Sequence, residues 1–251
     1  MNRFLYLIFI FLLACGTQKI AEYEDKSVRI DSSLAEGNLD SLIDPYREAM
    51  EEEMNQVIGE ATVALEKSVP ESPLGNFAAE ATYLAGVAYG SRTKDVGGPN
   101  AMIKSFALLN YGGLRAPISK GDITIGNMYE LMPFDNTLVL VKLSGDQVRA
   151  CAKYLFGVHG QPVYNARFRL SSNSETMWIG EKEYNFDEEI IVITSNYLAD
   201  GGDNMTFFNE PLRKWDSGIF LRDIFIDYVK EKKVLGRYPT TGKFHFVKTG
   251  E

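Results

Sequence analysis

Three short stretches of this chain gather side chains that can recognise a ligand: "NYGGLR" at 110–115, "ELMPFDNTL" at 130–138 and "TSNYLADGGDNM" at 194–205. Singly, each has a plainer reading. Glycine pairs after strands usually make turns, an aromatic ring beside proline usually packs, and Asp203 is placed to cap or brace its loop. Together they suggest chemistry. Phe134 and Tyr197, on separate loops, can hold a planar ring between them, at about 1–3 kcal/mol per stacked face. Arg115 offers the planar fork that suits phosphate. Asp203 can accept hydrogen bonds from a sugar diol, and Asn110 can address a base edge. Gly112, Gly113, Gly201 and Gly202 let backbone come close to a ligand. Ring, diol and phosphate make a nucleotide.

These loops need a scaffold to position them. "SFALL" (105–109) reads as a buried strand leading into the first loop, "TLVLVKL" (137–143) as a strand leaving the second, and "EIIVIT" (189–194) as a strand entering the third. An amphipathic helix is expected where Leu42, Tyr46, Met50, Met54 and Val57 recur at helical spacing, with Pro45 near its start and Gly59 at its end; "ATVAL" (61–65) follows as a strand. A second helix is expected over "ESPLGNFAAEATYLAGVAYG" (71–90). Ser72 caps it, Pro73 takes the first helical position, and Leu74, Phe77, Ala78, Ala81 and Leu84 form its inner face. Ser144 to Gln147 reads as a capping box opening a third helix on Val148, Cys151, Ala152 and Leu155. Strands are expected at "ARFRL" and "ETMWI". A last helix carries Leu221, Ile224, Phe225, Tyr228 and Val229, with lysines at its end, and "KFHFV" closes as an edge strand. Helices and strands mix without regular alternation. The expectation is one α+β domain over residues 27–248, of mixed and antiparallel strands with packed helices.

Composition bounds the partners. The chain has 251 residues, 45% hydrophobic and 24% charged, enough apolar material for a core. Its net charge of −8, with no basic cluster, excludes a nucleic-acid duplex as the expected partner. An anionic ligand must therefore be held by a few local donors. No repeat of solenoid length occurs.

The N-terminus, "MNRFLYLIFIFLLAC", has one cation at Arg3 and an apolar run from Phe4 to Ala14. That is short of the roughly 20 residues of a spanning helix and fits a signal-peptide core. Its end, "LLAC", resembles a bacterial lipobox. That resemblance implies a signal peptide over 1–14, lipid on Cys15 and a polar tether over 15–26, with the protein exported and anchored to a bacterial membrane on its periplasmic or surface side. A plain secretory signal and a short buried helix are the alternatives. Cys151 is the other cysteine, expected buried and inert.

"SPLGNFAAEA", "LLNYGGLRAPI", "ITIGNMYELMPFDNTLVLVKLSGDQV" and "VITSNYLADGGDNM" occur in the order and at about the spacing of the C-terminal domain of the 5'-nucleotidase family, which the chain resembles over roughly residues 27–248. The resemblance implies nucleoside binding. Phe134 and Tyr197 would stack the base, Asn110 would contact it, Asp203 would take the ribose hydroxyls and Arg115 the phosphate side. Gly112, Gly113, Gly201 and Gly202 would shape the loops, and Asn76 would be a positioning residue. The chain departs from the family pattern at Tyr111, where Gly is usual, and at Asn204. It also carries Lys67 and Ser68 where an upstream phosphate-binding Arg is usual.

In that family a separate N-terminal metallophosphatase domain holds two metal ions and hydrolyses the ester. Such a site needs clustered His, Asp and Asn ligands. This chain has two histidines, His159 in a turn and His245 between phenylalanines, and both read as structural. The expectation is no catalytic or metal residue on this chain and no cofactor of its own. The two divalent metals would come with a metallophosphatase partner chain, in a split 5'-nucleotidase-type system of nucleotide catabolism. Two alternatives stand beside it: a non-catalytic nucleoside- or nucleotide-binding lipoprotein for salvage, and a degenerate domain kept as an interaction module.

Overall fold

The computed structural model describes residues 37–247, so the expected signal peptide, Cys15 and tether lie outside the described residues. The chain divides into two units, Met1–Tyr46 and Arg47–Glu251. Of the first, only the opening turns of helix α1 (Gly37–Met54) are described; Pro45 lies inside that helix rather than at its start. The remaining elements belong to the second unit. No described helix is long and apolar enough to cross a membrane.

The sheet that carries the three loops has five strands, in the order β10 (Arg213–Phe220), β4 (Thr137–Leu143), β9 (Ile190–Ser195), β2 (Ser105–Leu108), β5 (Val163–Tyr164). Its three central strands are nearly unbroken apolar runs because both faces are covered. Alternation divides them cleanly. Ala107, Leu138, Leu140, Ile191 and Ile193 enter a core shared with α2 (Pro73–Arg92) and α7 (Leu221–Lys232). Phe106, Leu108, Val139, Val141 and Val192 enter a second core with α5 (Gly145–Gly157) and a four-stranded sheet. That sheet has the order β12 (Phe244–Phe246), β6 (Ala166–Leu170), β7 (Glu175–Ile179), β8 (Lys182–Glu183).

Helix α2 begins where the sequence places it: the Ser72 hydroxyl accepts the Gly75 amide at 2.9 Å and Pro73 is its first residue. Its inner face is wider than the expected stripe. Leu84 is 44% exposed, whereas Gly86 and Gly90 are buried. A Cβ at Gly86 would stand 2.4 Å from Ile193 Cγ2, so the missing side chain sets how closely the helix lies on the sheet. The α5 capping box forms as expected from Ser144 and Gln147. Cys151 is fully buried beneath it, and burial raises its thiol well above the ordinary range.

Around α1 the structure differs from expectation. The strand lies at Val57–Ala61 (β1), with Gly59 inside it rather than ending the helix, and of "ATVAL" only Ala61 belongs to it. A Cβ at Gly59 would meet Val229 Cγ1 at 2.7 Å, so glycine admits α7 against the strand. Met50 is 63% and Val57 54% exposed, so that part of the helical stripe faces out instead of in. β1 joins β3 (Gly121–Thr124) and β11 (Val234–Leu235) in a three-stranded sheet.

A buried polar knot ties the start of α2 to the C-terminal segment. Asn76, 6% exposed, donates to Glu71 and to the Pro239 carbonyl, and its Oδ1 accepts from Lys243 Nζ at 2.7 Å. Glu71 accepts the backbone amides of Thr241, Gly242 and Lys243. Burial works to raise the Glu71 carboxyl, but these amides, with Asn76 and Lys243, hold it below its ordinary value. For Lys243 burial prevails and lowers its ammonium, although Glu71 stands 3.8 Å away. The work of Asn76 is thus to hold the start of α2 to the segment at 239–243.

Candidate functional site

Strand direction explains why loops far apart in sequence meet. β2 and β9 run parallel, with Ala107 opposite Ile193, and β4 runs antiparallel to β9, with Leu138 opposite Ser195. The C-terminal ends of β2 and β9 and the N-terminal end of β4 therefore share one edge. There Asn110, Gly112, Gly113, Arg115, Phe134, Tyr197 and Asp203 line one depression of about 330 Å³, joined by Asn136. Gly201 and Gly202 shape the loop beside it. Phe134 is 44% and Tyr197 46% exposed, large rings left open to solvent.

Asp203 is the most constrained of these residues. Its backbone is left-handed, at φ 52°, following Gly201 at φ 86°, a conformation an Asp tolerates better than most residues. Asn204, at φ 61°, extends the same kink. Its carboxylate is held at both oxygens: Asn110 Nδ2 donates to Oδ2 at 2.6 Å and the Tyr197 hydroxyl to Oδ1 at 2.8 Å. The Tyr197 hydroxyl also accepts the Asp203 amide at 3.3 Å, and Tyr154 on α5 donates to its carbonyl at 3.0 Å. Bonding to Asp203 raises the Tyr197 phenol above its ordinary value. For Tyr154, burial comes first and the Asp203 charge second. Each carboxylate oxygen retains accepting capacity beyond these bonds.

The glycines act on neighbouring side chains as much as on any ligand. A Cβ on Gly113 would stand 2.9 Å from Asn110 Oδ1, and one on Gly202 2.5 Å from Tyr197 Cε1. They make room for the residues that hold Asp203.

Support for the two rings comes from residues the sequence did not single out. Asn196 Oδ1 accepts the Tyr197 amide at 2.8 Å and the Thr137 amide at 3.1 Å, fastening the two ring-bearing loops together. Arg222, buried at the start of α7, reaches Asp135 at 3.1 Å and the Met132 carbonyl at 3.4 Å. Its guanidinium lies over Tyr129 at 4.2 Å. It therefore grips the turn on both sides of Phe134. Asn136 carried a local signal, two residues past Phe134. Asn196 and Arg222 carried none, because Thr137, which Asn196 ties to Tyr197, and the partners of Arg222 are remote in sequence.

On the cationic side, the Arg115 amide donates to the Leu131 carbonyl at 2.8 Å, while its side chain is exposed and one guanidinium nitrogen reaches the Gly112 carbonyl at 3.4 Å. Lys67 Nζ donates to the Leu114 carbonyl at 2.8 Å, which ties a second cation to the residue before Arg115. Tyr111 turns away from the depression. Its ring packs near Gly75 and Pro162, where a Gly75 Cβ would stand 3.0 Å from Tyr111 Cε1. Its hydroxyl is buried near Ser72, and burial raises the phenol, with Ser72 acting more weakly against it. Neither histidine belongs to this site. His159 sits in a left-handed turn against Phe246, and His245 faces outward from β12. Among the described residues no group of three or more His, Cys, Asp or Glu side chains is placed to hold a metal ion. A larger groove of about 710 Å³ between α2 and α7 is lined by none of the expected binding residues.

Comparison with known proteins points the same way. Residues 57–210 match the family described as 5'-nucleotidase, C-terminal domain. The chain is 27% identical over 214 residues to the trifunctional nucleotide phosphoesterase protein YfkN of Bacillus subtilis, covering 75% of this chain and 14% of that protein. It is 26% identical over 206 residues to a 5'-nucleotidase of Vibrio vulnificus, covering 76% and 34%. Among solved structures, a 5'-nucleotidase precursor from Thermus thermophilus superposes with a TM-score of 0.66 at 26% identity, covering 84% of this chain and 43% of that one. The chain thus spans less than half the length of each of these relatives.

Proposed function

This chain belongs to the 5'-nucleotidase C-terminal-domain family, and from that premise we propose that it is the nucleoside-recognition half of a split phosphohydrolase system, working with a separate metallophosphatase chain. Phe134 and Tyr197 take the two faces of the base. Asn136, with Asn110, supplies amides at the base edge. Asp203 accepts the ribose diol, and Arg115 with Lys67 attracts the phosphate. The partner brings two divalent metals and the nucleophile, and the part of this chain is to hold the nucleotide in a reactive pose. Lipid on Cys15 would anchor it outside the cytoplasm, a reading supported by the "LLAC" sequence.

The observation that carries the proposal is the convergence of Asn110, Arg115, Phe134, Tyr197 and Asp203 on one depression with Asp203 already braced from two sides. The test mixes the chain with candidate metallophosphatases and AMP and measures phosphate release. A rate gain over the phosphatase alone, lost with Asp203→Ala, is expected. No gain with any partner overturns the split-enzyme reading.

A carrier for salvage is the second reading, favoured by one feature: Asn110 and Tyr197 already hold both carboxylate oxygens of Asp203, so the residue that would take the sugar is set in place. Calorimetry with adenosine and AMP separates the two. Strong binding without a partner supports the carrier, and weak binding improved by the partner supports the split enzyme.

A further inference from the structure

The outer face of the four-stranded sheet gathers positive charge that the nucleotide site does not use. Pairing places Arg167 opposite Trp178, and His245 beside Arg169 across the parallel β12–β6 pair. Arg167 and Arg169 alternate outward along β6, about 7 Å apart at two residues of strand rise, and His245 lies one strand spacing, about 4.8 Å, to the side. These residues, with Phe168 and Gly242, line a depression of about 510 Å³. Arg167 is partly engaged by Glu181, at 3.3 Å, with its guanidinium over the Trp178 ring. Among the described residues, the Arg169 guanidinium and the His245 ring have no hydrogen bond or ion pair. Besides Glu181, the carboxylate paired on this face of the ladder is Glu183, beyond Trp178 and on the side away from His245, while Glu175 is engaged by Arg149. On a chain of net charge −8, a depression lined by cations and an indole is a local reversal of sign.

The geometry points to a second binding site here, for a compact phosphate-bearing anion seated on Arg169 between Arg167 and His245. The guanidinium of Arg169 offers a fork of donors matched to phosphate oxygens, and the imidazole adds a donor from the adjacent strand. Two phosphoryl groups span the separation of the two arginines better than one. A diphosphate group therefore binds more tightly than inorganic phosphate. Phosphate oxygens are offered both by a soluble pyrophosphate and by a phospholipid surface, where two neighbouring headgroup phosphodiesters take the place of the two linked phosphoryl groups.

Trp178 is the natural reporter. In a Trp215→Phe background it is the one remaining indole of the two in the chain. Titrating pyrophosphate into that variant at constant ionic strength should give a saturable change in its emission. Arg169→Gln should weaken the apparent affinity at least tenfold, and Arg115→Ala should leave the signal in place. Arg169 is an exposed strand residue, so its variant keeps the fold, which thermal melting checks. Equilibrium dialysis of labelled pyrophosphate against the unsubstituted chain and its Arg169→Gln form repeats the measurement without the Trp215 change. Sedimentation with vesicles containing phosphatidylglycerol, set beside neutral vesicles, separates the sources: binding to the anionic vesicles alone, abolished by Arg169→Gln, assigns the headgroup. A response that matches added chloride, or one untouched by Arg169→Gln in both the soluble and the vesicle arms, overturns the proposal.

Discussion

Asn110 and Asp203, separated by 93 positions, meet through a 2.6 Å hydrogen bond from the Asn110 amide to the Asp203 carboxylate. A bond of this kind, to a charged acceptor, is worth about 1.5–3 kcal/mol. Asn110→Ala should therefore leave Asp203 loosely aimed and lower adenosine affinity about tenfold or more. Calorimetry checks this, with thermal melting to separate loss of the site from loss of the fold.

Tyr197 has two separable parts, and two substitutions tell them apart. Tyr197→Phe keeps the ring but removes the hydroxyl that donates to Asp203 at 2.8 Å, and adenosine binding should weaken severalfold. Tyr197→Ala removes the ring as well and should forfeit a further ~1–3 kcal/mol of stacking. Equal losses from both would show that stacking is absent.

Gly202→Ala tests whether the loop glycines serve their neighbours. The new Cβ would lie 2.5 Å from the Tyr197 ring, so the ring must move. Overpacking of this kind typically destabilises by about 1–3 kcal/mol. A lowered melting temperature together with lost nucleoside binding is expected.

Acid should loosen the knot at Glu71. Its carboxyl in the folded chain is held below its ordinary value of 4.5, so the unfolded chain binds more protons than the folded one on the acid side. The stability it contributes is complete above about pH 4.5 and is lost as pH falls through the lowered value. Glu71→Gln should destabilise the protein near neutrality by about 1–3 kcal/mol, the range for a buried bond left unmade. The gap between the two proteins' denaturant midpoints should narrow below pH 4.5, and a constant gap would refute this account.

The features legible in the sequence were those written in local signals. Ser72 with Pro73, Ser144 with Gln147 and the apolar run at 137–143 each announce an element within a few residues, and each forms as read. The residues that line the depression were legible for a similar reason, since each sits in a loop next to a strong strand. What escaped depends on distant partners or on exposure. β10 was not foreseen because it is an edge strand whose residues are largely exposed, which erases the alternation that marks a half-buried strand. The outward turn of Met50 and Val57 escaped because a stripe tells which residues share a side, not whether anything covers it. Arg222 and Glu71 are recognisable only once α7 and the segment at 239–243 are folded against their neighbours.

The double use of Asn196 sets a gauge. One carbonyl oxygen fastens both ring carriers, so the gap they bound is inherited from the backbone instead of being adjusted to each guest. If the two rings take a base between them, as proposed, thickness becomes the property on which guests are sorted, and flat heterocycles should enter where puckered or face-substituted ones do not. On the same proposed reading, variation among accepted bases would be left to their rims, where a single exchange at position 136, which lines the depression, should retune preference.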